Sequence, residues 1–193
     1  MAAPTLFTKR LRLRGWRDSD LEPFAELNAD PRVMQFYPRT LDRARSNASA
    51  DRIRAKLNVR GFGLWAVEAP DVAPFLGYVG LAEPAFCSHF TPCVEIGWRL
   101  AYPYWGQGYA TEAATAALDH AFHALSLSEV VSFTALGNRR SRRVMQRLGM
   151  SYSASDDFEH PDIPVGHPLR PHVLYRLGRS GWMRPRITDE AER

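Results

Sequence analysis

The run Tyr104-Trp105-Gly106-Gln107-Gly108-Tyr109-Ala110-Thr111-Glu112-Ala113 puts two glycines where a polar turn gives way to a small-residue helix. The first N–H groups of a helix have no intrahelical partner and carry the positive end of its dipole, and glycines let a ligand reach them without a Cβ in the way. Gly106, Gln107, Gly108, Tyr109, Ala110 and Thr111 therefore read as a cradle for phosphate, with a pyrophosphate as the natural guest. A dinucleotide fingerprint would need a third glycine where Thr111 stands, and a P-loop would need a Gly-Lys-Ser/Thr ending that occurs nowhere in the chain.

Around this run the sequence reads as one mixed α/β domain. At 193 residues, 45% of them hydrophobic, the chain is long enough for one well-packed core and too short for two comfortable ones. Residues 6–14 alternate as a strand, and Asp18 or Asp20 then caps an amphipathic helix that Asp30-Pro31 ends. Residues 41–60 form a charged helix stopped by Gly61 and Gly63, and residues 64–68 and 75–81 form a hairpin framed by Pro70 and Pro74. Residues 93–100 alternate again, with Glu95, Gly97 and Arg99 on one face and Val94, Ile96, Trp98 and Leu100 on the other. A long helix is predicted over residues 110–127, a strand over 129–136 and a helix from Asn138 to the stop at Gly149. Late strands at 150–155 and 172–177 bring the count to about seven. Residues 156–171 form a proline-punctuated insertion of the kind that closes over substrates. Residues 1–182 are assigned to the domain and 183–193 to a polar tail.

Charge and cysteine usage narrow the classes. Lys and Arg outnumber Asp and Glu by 25 to 21, and only Lys9 and Lys56 are lysines. An arginine-rich basic surface suits phosphate and carboxylate partners; without an accompanying motif, nucleic acid is not expected. The sequence lacks a spanning apolar run and a signal-peptide pattern, so a cytoplasmic protein with Cys87 and Cys93 as free thiols is expected. The histidines lack zinc-like spacing, so no metal is expected.

Three segments together resemble one family. The glycine run is similar to the acyl-CoA loop of the GNAT superfamily of N-acetyltransferases, Gln/Arg-x-x-Gly-x-Gly/Ala, with Gly108 and Ala110 on its fourth and sixth places and Trp105 replacing the Gln or Arg. The form aromatic-Trp-Gly-x-Gly-Tyr-Ala-Thr-Glu-Ala resembles the RimJ/RimL-like branch. So do Asn138-x-x-Ser141-x-x-Val144-x-x-Arg147-Leu148-Gly149-Met150 and, at the amino end, Phe7-Thr8-x-Arg10-Leu11-x-Leu13-Arg14 followed by Asp18 and Asp20.

That resemblance implies a GNAT fold of class α+β, a mostly antiparallel sheet flanked by helices. Two strands splay apart in it, so that the main chain of Trp98, Arg99 and Leu100 meets the pantetheine arm of acetyl-CoA. It implies direct acetyl transfer to a primary amine, either a protein amino terminus or a small molecule. The alternative is a CoA-binding or nucleic-acid-binding module without catalysis. Glu95 is the candidate base, with a structural carboxylate as the other reading; Glu159 and His160 are in reserve. Ser141 is the candidate proton donor to the thiolate. Asn138, an N-cap by sequence, also contacts CoA on this reading, and Arg143 is singled out from the arginines at 139, 140, 142, 143 and 147 as a phosphate ligand. Phe36, Tyr37 and Trp65 are candidates for the acceptor pocket, with core packing the other reading for Trp65. Monomer and homodimer stay open.

Overall fold

The computed structural model describes residues 3–182. Nine strands form one sheet: β1 (Leu6–Phe7), β2 (Arg12–Arg14), β3 (Leu64–Ala69), β4 (Ala73–Ala82), β5 (Glu95–Leu100), β6 (Glu129–Ala135), β7 (Ser151–Tyr152), β8 (Phe158–Glu159) and β9 (Pro171–Gly178). The helices are α1 (Leu21–Ala29), α2 (Arg43–Arg60), α3 (Tyr109–Asp119) and α4 (Arg139–Arg147). Sheet order is β1-β2-β3-β4-β5-β6-β9-β7, with β8 on β9. Every pairing is antiparallel except that of β5 with β6.

Nine strands replace the expected seven for two local reasons. Residues 6–14 are not one strand, because the chain turns at residues 8–11, where Thr8 N–H donates to Leu11 O, and β1 folds back on β2. The second addition lies inside the 156–171 insertion, where β8 pairs with the start of β9. The late strand expected at 150–155 shrinks to Ser151–Tyr152.

The expected helix over 110–127 is also divided. It starts at Tyr109, leaves α geometry after Asp119 and finishes in a wider π turn over His120–Ala124, where Leu125 N–H reaches His120 O. Neither Asp18 nor Asp20 caps α1 with its side chain. Asp20 is buried instead and receives two bonds from Arg14, which also binds Glu68. Asp42 caps α2 by accepting from Arg45 N–H at 2.8 Å, and Gly61 closes it at φ 72°.

The two faces of the sheet have different neighbours. Cross-strand pairing lines up Trp65, Val79 and Trp98 on one face, where Trp65 packs edge-on against His120 beyond α3. It lines up Ala66, Tyr78 and Arg99 on the other, where Tyr78 packs on Phe24 of α1. Trp65 is fully buried, as its core assignment requires. Cys87 and Cys93 are free thiols, and no described helix is long and apolar enough to cross a membrane.

Candidate functional site

The parallel pair β5/β6 is joined at one register position, Glu95 opposite Val131. Val131 N–H donates to Val94 O at 3.0 Å, and the Ser132 hydroxyl donates to Ile96 O at 2.9 Å. Beyond these bonds the strands part. Main-chain groups in a strand point alternately to either side, so the period that aims Val94 and Ile96 at β6 aims Trp98 into the gap. Glu95 stands at the fork. The fork opens into a cavity of about 780 Å³, within the range of small-molecule sites.

The glycine turn forms one end of that cavity. Gly106 and Gly108 have φ of 78° and 81°, a left-handed backbone that side-chain-bearing residues rarely adopt. The first intrahelical bond of α3 is Glu112 N–H to Gly108 O, so the N–H groups of Tyr109, Ala110 and Thr111 precede it, and no side chain caps them. These groups can take an anion. Trp105, standing in for the usual Gln or Arg, donates from Nε1 to Leu100 O at 2.8 Å and carries Arg140 4.9 Å from its ring centre. The indole ties the turn to the end of β5. Gln107 is the one loop residue that does not line the cavity; its amide folds back onto Pro103 O.

The amino end of α4 forms the second wall. Asn138 Oδ1 accepts from Ser141 N–H at 3.2 Å, an N-cap as expected, and Asn138 Nδ2 donates to Thr134 Oγ1 at 2.9 Å. This fixes Ser141 at the cavity wall, and Asn138, Ser141 and Arg143 all line it. Arg140 and Arg147 line it too, which spacing alone did not single out.

The remaining wall comes from residues 33–38 and from the insertion. Phe36 and Tyr37 line the cavity, and Phe36 reaches across so far that a Cβ on Gly137 would stand 3.6 Å from its ring. His160 and His172 line it with their rings 5.0 Å apart, and burial lowers both their pKa values. Glu159, one of the two reserve bases, is not in the lining. It is exposed and paired with Arg170 at 2.8 Å.

Glu95 has no hydrogen-bond partner among the described residues, and loss of water around it pushes its carboxyl up to about 7, against the opposing charge of Lys56. A carboxylate poised near neutrality can accept a proton from an incoming group and return it. Ser141 offers a hydroxyl on the other wall, and its oxygen has no hydrogen-bond partner among the described residues. The site thus combines an anion cradle, an open strand edge, a tuned carboxylate and a hydroxyl in one cavity.

This arrangement suits an acyltransferase. Residues 10–151 match the Acetyltransferase (GNAT) domain family, and the chain belongs to it. Among similar proteins, FsC-acetyl coenzyme A-N(2)-transacetylase of Aspergillus fumigatus is 32% identical over 95% of this chain and 80% of its own length. YkkB of Bacillus subtilis is 34% identical over 79% of this chain and 88% of its own. An acetyltransferase structure from Agrobacterium tumefaciens superposes with a TM-score of 0.72 at 29% identity, covering 92% of this chain and 95% of that one. RimJ of Mycobacterium smegmatis, solved with CoA-disulfide, shares the fold with a TM-score of 0.72 at 19% identity, covering 92% and 90%.

Proposed function

We propose that the protein transfers the acetyl group of acetyl-CoA directly to a primary amine in a ternary complex. The observation that carries this reading is the shared cavity: uncapped N–H groups of α3 and the ionisable, unpartnered Glu95 line the same space.

On this reading the pyrophosphate lies on the N–H groups of residues 108–111, with Arg143 and its neighbours on α4 completing the charge balance. The pantetheine arm pairs with the open edge of β5 at Trp98 and Leu100, as an added strand would, while the main chain of Arg99 between them turns to β4, and Asn138 contacts it from α4. Glu95 takes a proton from the ammonium form of the acceptor, directly or through one water, and leaves a neutral amine. That nitrogen bonds to the acetyl carbon, and the tetrahedral oxyanion collapses as the carbon–sulfur bond breaks, the second nitrogen proton passing to the departing thiolate. The Ser141 hydroxyl donates a hydrogen bond to the departing thiolate. Phe36 and the insertion shield the reaction from water.

The acceptor is a protein amino terminus or a small amine. The named activity of the Aspergillus relative, an acetyl-CoA N-transacetylase, supports nitrogen as the acceptor atom, and the fold shared with RimJ keeps protein amino termini in the panel. The test is thiol release from acetyl-CoA against amines and amino-terminal peptides. Acceptor-dependent release supports the reading; CoA binding without turnover on any amine leaves a binding module instead.

A further inference from the structure

Arg99 occupies the face of β5 that also carries Glu95 and Gly97, opposite Tyr78 of β4. Its guanidinium carbon lies 3.9 Å from the ring centre of Tyr37 and 5.4 Å from that of Tyr78. Nη1–H donates to Asn28 Oδ1 at 2.6 Å, and Asn28 is held in turn by donating to Ser46 Oγ at 2.9 Å. All these partners are uncharged. Among the described residues no carboxylate acts on Arg99, and its buried Nε–H has no acceptor.

The same sheet treats a more deeply buried arginine differently, Arg99 being only half-buried. Arg14, 5% exposed, is matched by both Asp20 and Glu68, at 2.8 and 2.7 Å. A guanidinium removed from water without a counter-charge is costly, and its planar fork fits a carboxylate through two parallel bonds. Arg99 is thus a cation prepared for an anion that the chain does not supply.

Where Arg99 lies argues which anion that is. Its face of the sheet is the one covered by α1, opposite to the face that carries Trp65 and α3. The phosphates of acetyl-CoA already have the uncapped N–H groups of α3 and the arginines of α4. On this face only Gly97 stands between Glu95 and Arg99, and a Cβ built there would touch nothing within 4 Å. Gly97 is roughly 7 Å along the strand from each neighbour, so the Cα atoms of Glu95 and Arg99 stand roughly 13 Å apart, a span shared between the two long side chains and an acceptor of about two extended residues.

We propose that the acceptor amine carries a carboxylate several bonds from its nitrogen: Arg99 binds the carboxylate, and the chain of the acceptor lies over Gly97 with its amine at Glu95. This deepens the acetyl-transfer reading and rests on it.

The test compares matched acceptors that differ only in charge, glycylglycine with glycylglycinamide and γ-aminobutyrate with its amide, in the intact protein at saturating acetyl-CoA. In the parent, kcat/KM for the acids is expected to exceed that for the amides by about tenfold or more, the scale of a hydrogen-bonded charge pair. Arg99→Gln brings the ratio to about one. Because Arg99 also ties down α1, Arg99→Lys is measured beside it and keeps a reduced preference for the acids. A parent ratio near one overturns the proposal, as does an equal fall for acid and amide in Arg99→Gln with weaker acetyl-CoA binding, which assigns Arg99 to the cofactor. Acetylation confined to uncharged amines removes the carboxylate and leaves acetyl transfer standing, whereas bound acetyl-CoA with no acceptor turned over removes both.

Discussion

Arg10, in the turn between β1 and β2, and Glu112, in the first turn of α3, are joined from Nε–H to Oε2 at 2.7 Å. Glu112 Oε1 also accepts from the Arg10 main chain at 2.9 Å and from the Thr8 hydroxyl at 2.6 Å. Glu112 is only 4% exposed. Arg10 goes on to bind Gln107 O at 3.0 Å and to lie 4.5 Å from the Tyr109 ring centre. The amino end of the chain therefore braces the glycine turn from behind. It also neutralises a carboxylate that would otherwise compete with phosphate for the positive end of α3.

Removing this brace has a twofold expected effect. Arg10→Ala leaves the Glu112 charge buried without its cation, which should cost about 1–3 kcal/mol of stability and weaken CoA several-fold. Calorimetry with CoA and melting curves on the same samples check it. A melting temperature that drops while CoA affinity holds would confine the pair to the fold and detach it from the turn.

The glycine turn supplies a sharper test. A side chain at Gly108 meets a φ of 81° before it meets any neighbour, since only the Arg10 guanidinium lies near, at 3.4 Å. Gly108→Val must distort the turn and cover the N–H groups behind it. CoA binding should fall below detection in calorimetry while the fold survives by circular dichroism. CoA affinity equal to the parent's would remove the turn from the binding site.

What could be read from the sequence follows from how local each determinant is. The α3 cradle and the Asn138 cap depend on residues within one turn of each other, so spacing reveals them. The Arg10–Glu112 brace joins residues 102 apart, and Arg14 with Asp20 and Glu68 likewise spans two strands and a helix. Arg10, Glu112, Arg14 and Asp20 lie in motifs and Glu68 does not, and the motif does not say what touches what. Residues 6–14 failed as one strand because side-chain alternation persists through a turn stabilised by a distant carboxylate. Ser132, which fastens the fork, carries no sequence signal at all. The expected tail after 182 lies outside the described residues.

Ser141 is expected to act on the rate. Its main-chain N–H belongs to the Asn138 cap, so Ser141→Ala keeps that bond and removes only the hydroxyl. If the hydroxyl stabilises the developing thiolate, kcat falls about tenfold to a hundredfold with CoA affinity nearly unchanged. Single-turnover rates decide it, because product release could hide the chemical step. Parent-like rates there would take Ser141 out of the mechanism.

Glu95 allows catalysis and stability to be read from one titration. Its folded-state pKa is raised to about 7 by loss of water, so the folded protein holds a proton that the unfolded chain releases near pH 4.5. The sign follows: below pH 4.5 the group favours neither state, and between pH 4.5 and 7 ionisation destabilises the fold increasingly. Above 7 the penalty is constant, on the order of 3 kcal/mol. Glu95→Gln lacks this penalty and should gain on the parent across that window, then run parallel to it. Activity should move the other way. In the parent, kcat/KM rises through pH 7 as the base ionises, and Glu95→Gln loses that limb and most of the turnover at neutral pH. The deficit shrinks as the acceptor approaches its own pKa, about 8 for an α-amine and 10.4 for a lysine-like amine, because more of it then arrives neutral. A variant that is stabilised and slow in this pH-dependent way identifies Glu95 as the base. One that is stabilised but turns over with the parent's pH profile leaves Glu95 as a buried carboxylate with no part in proton transfer.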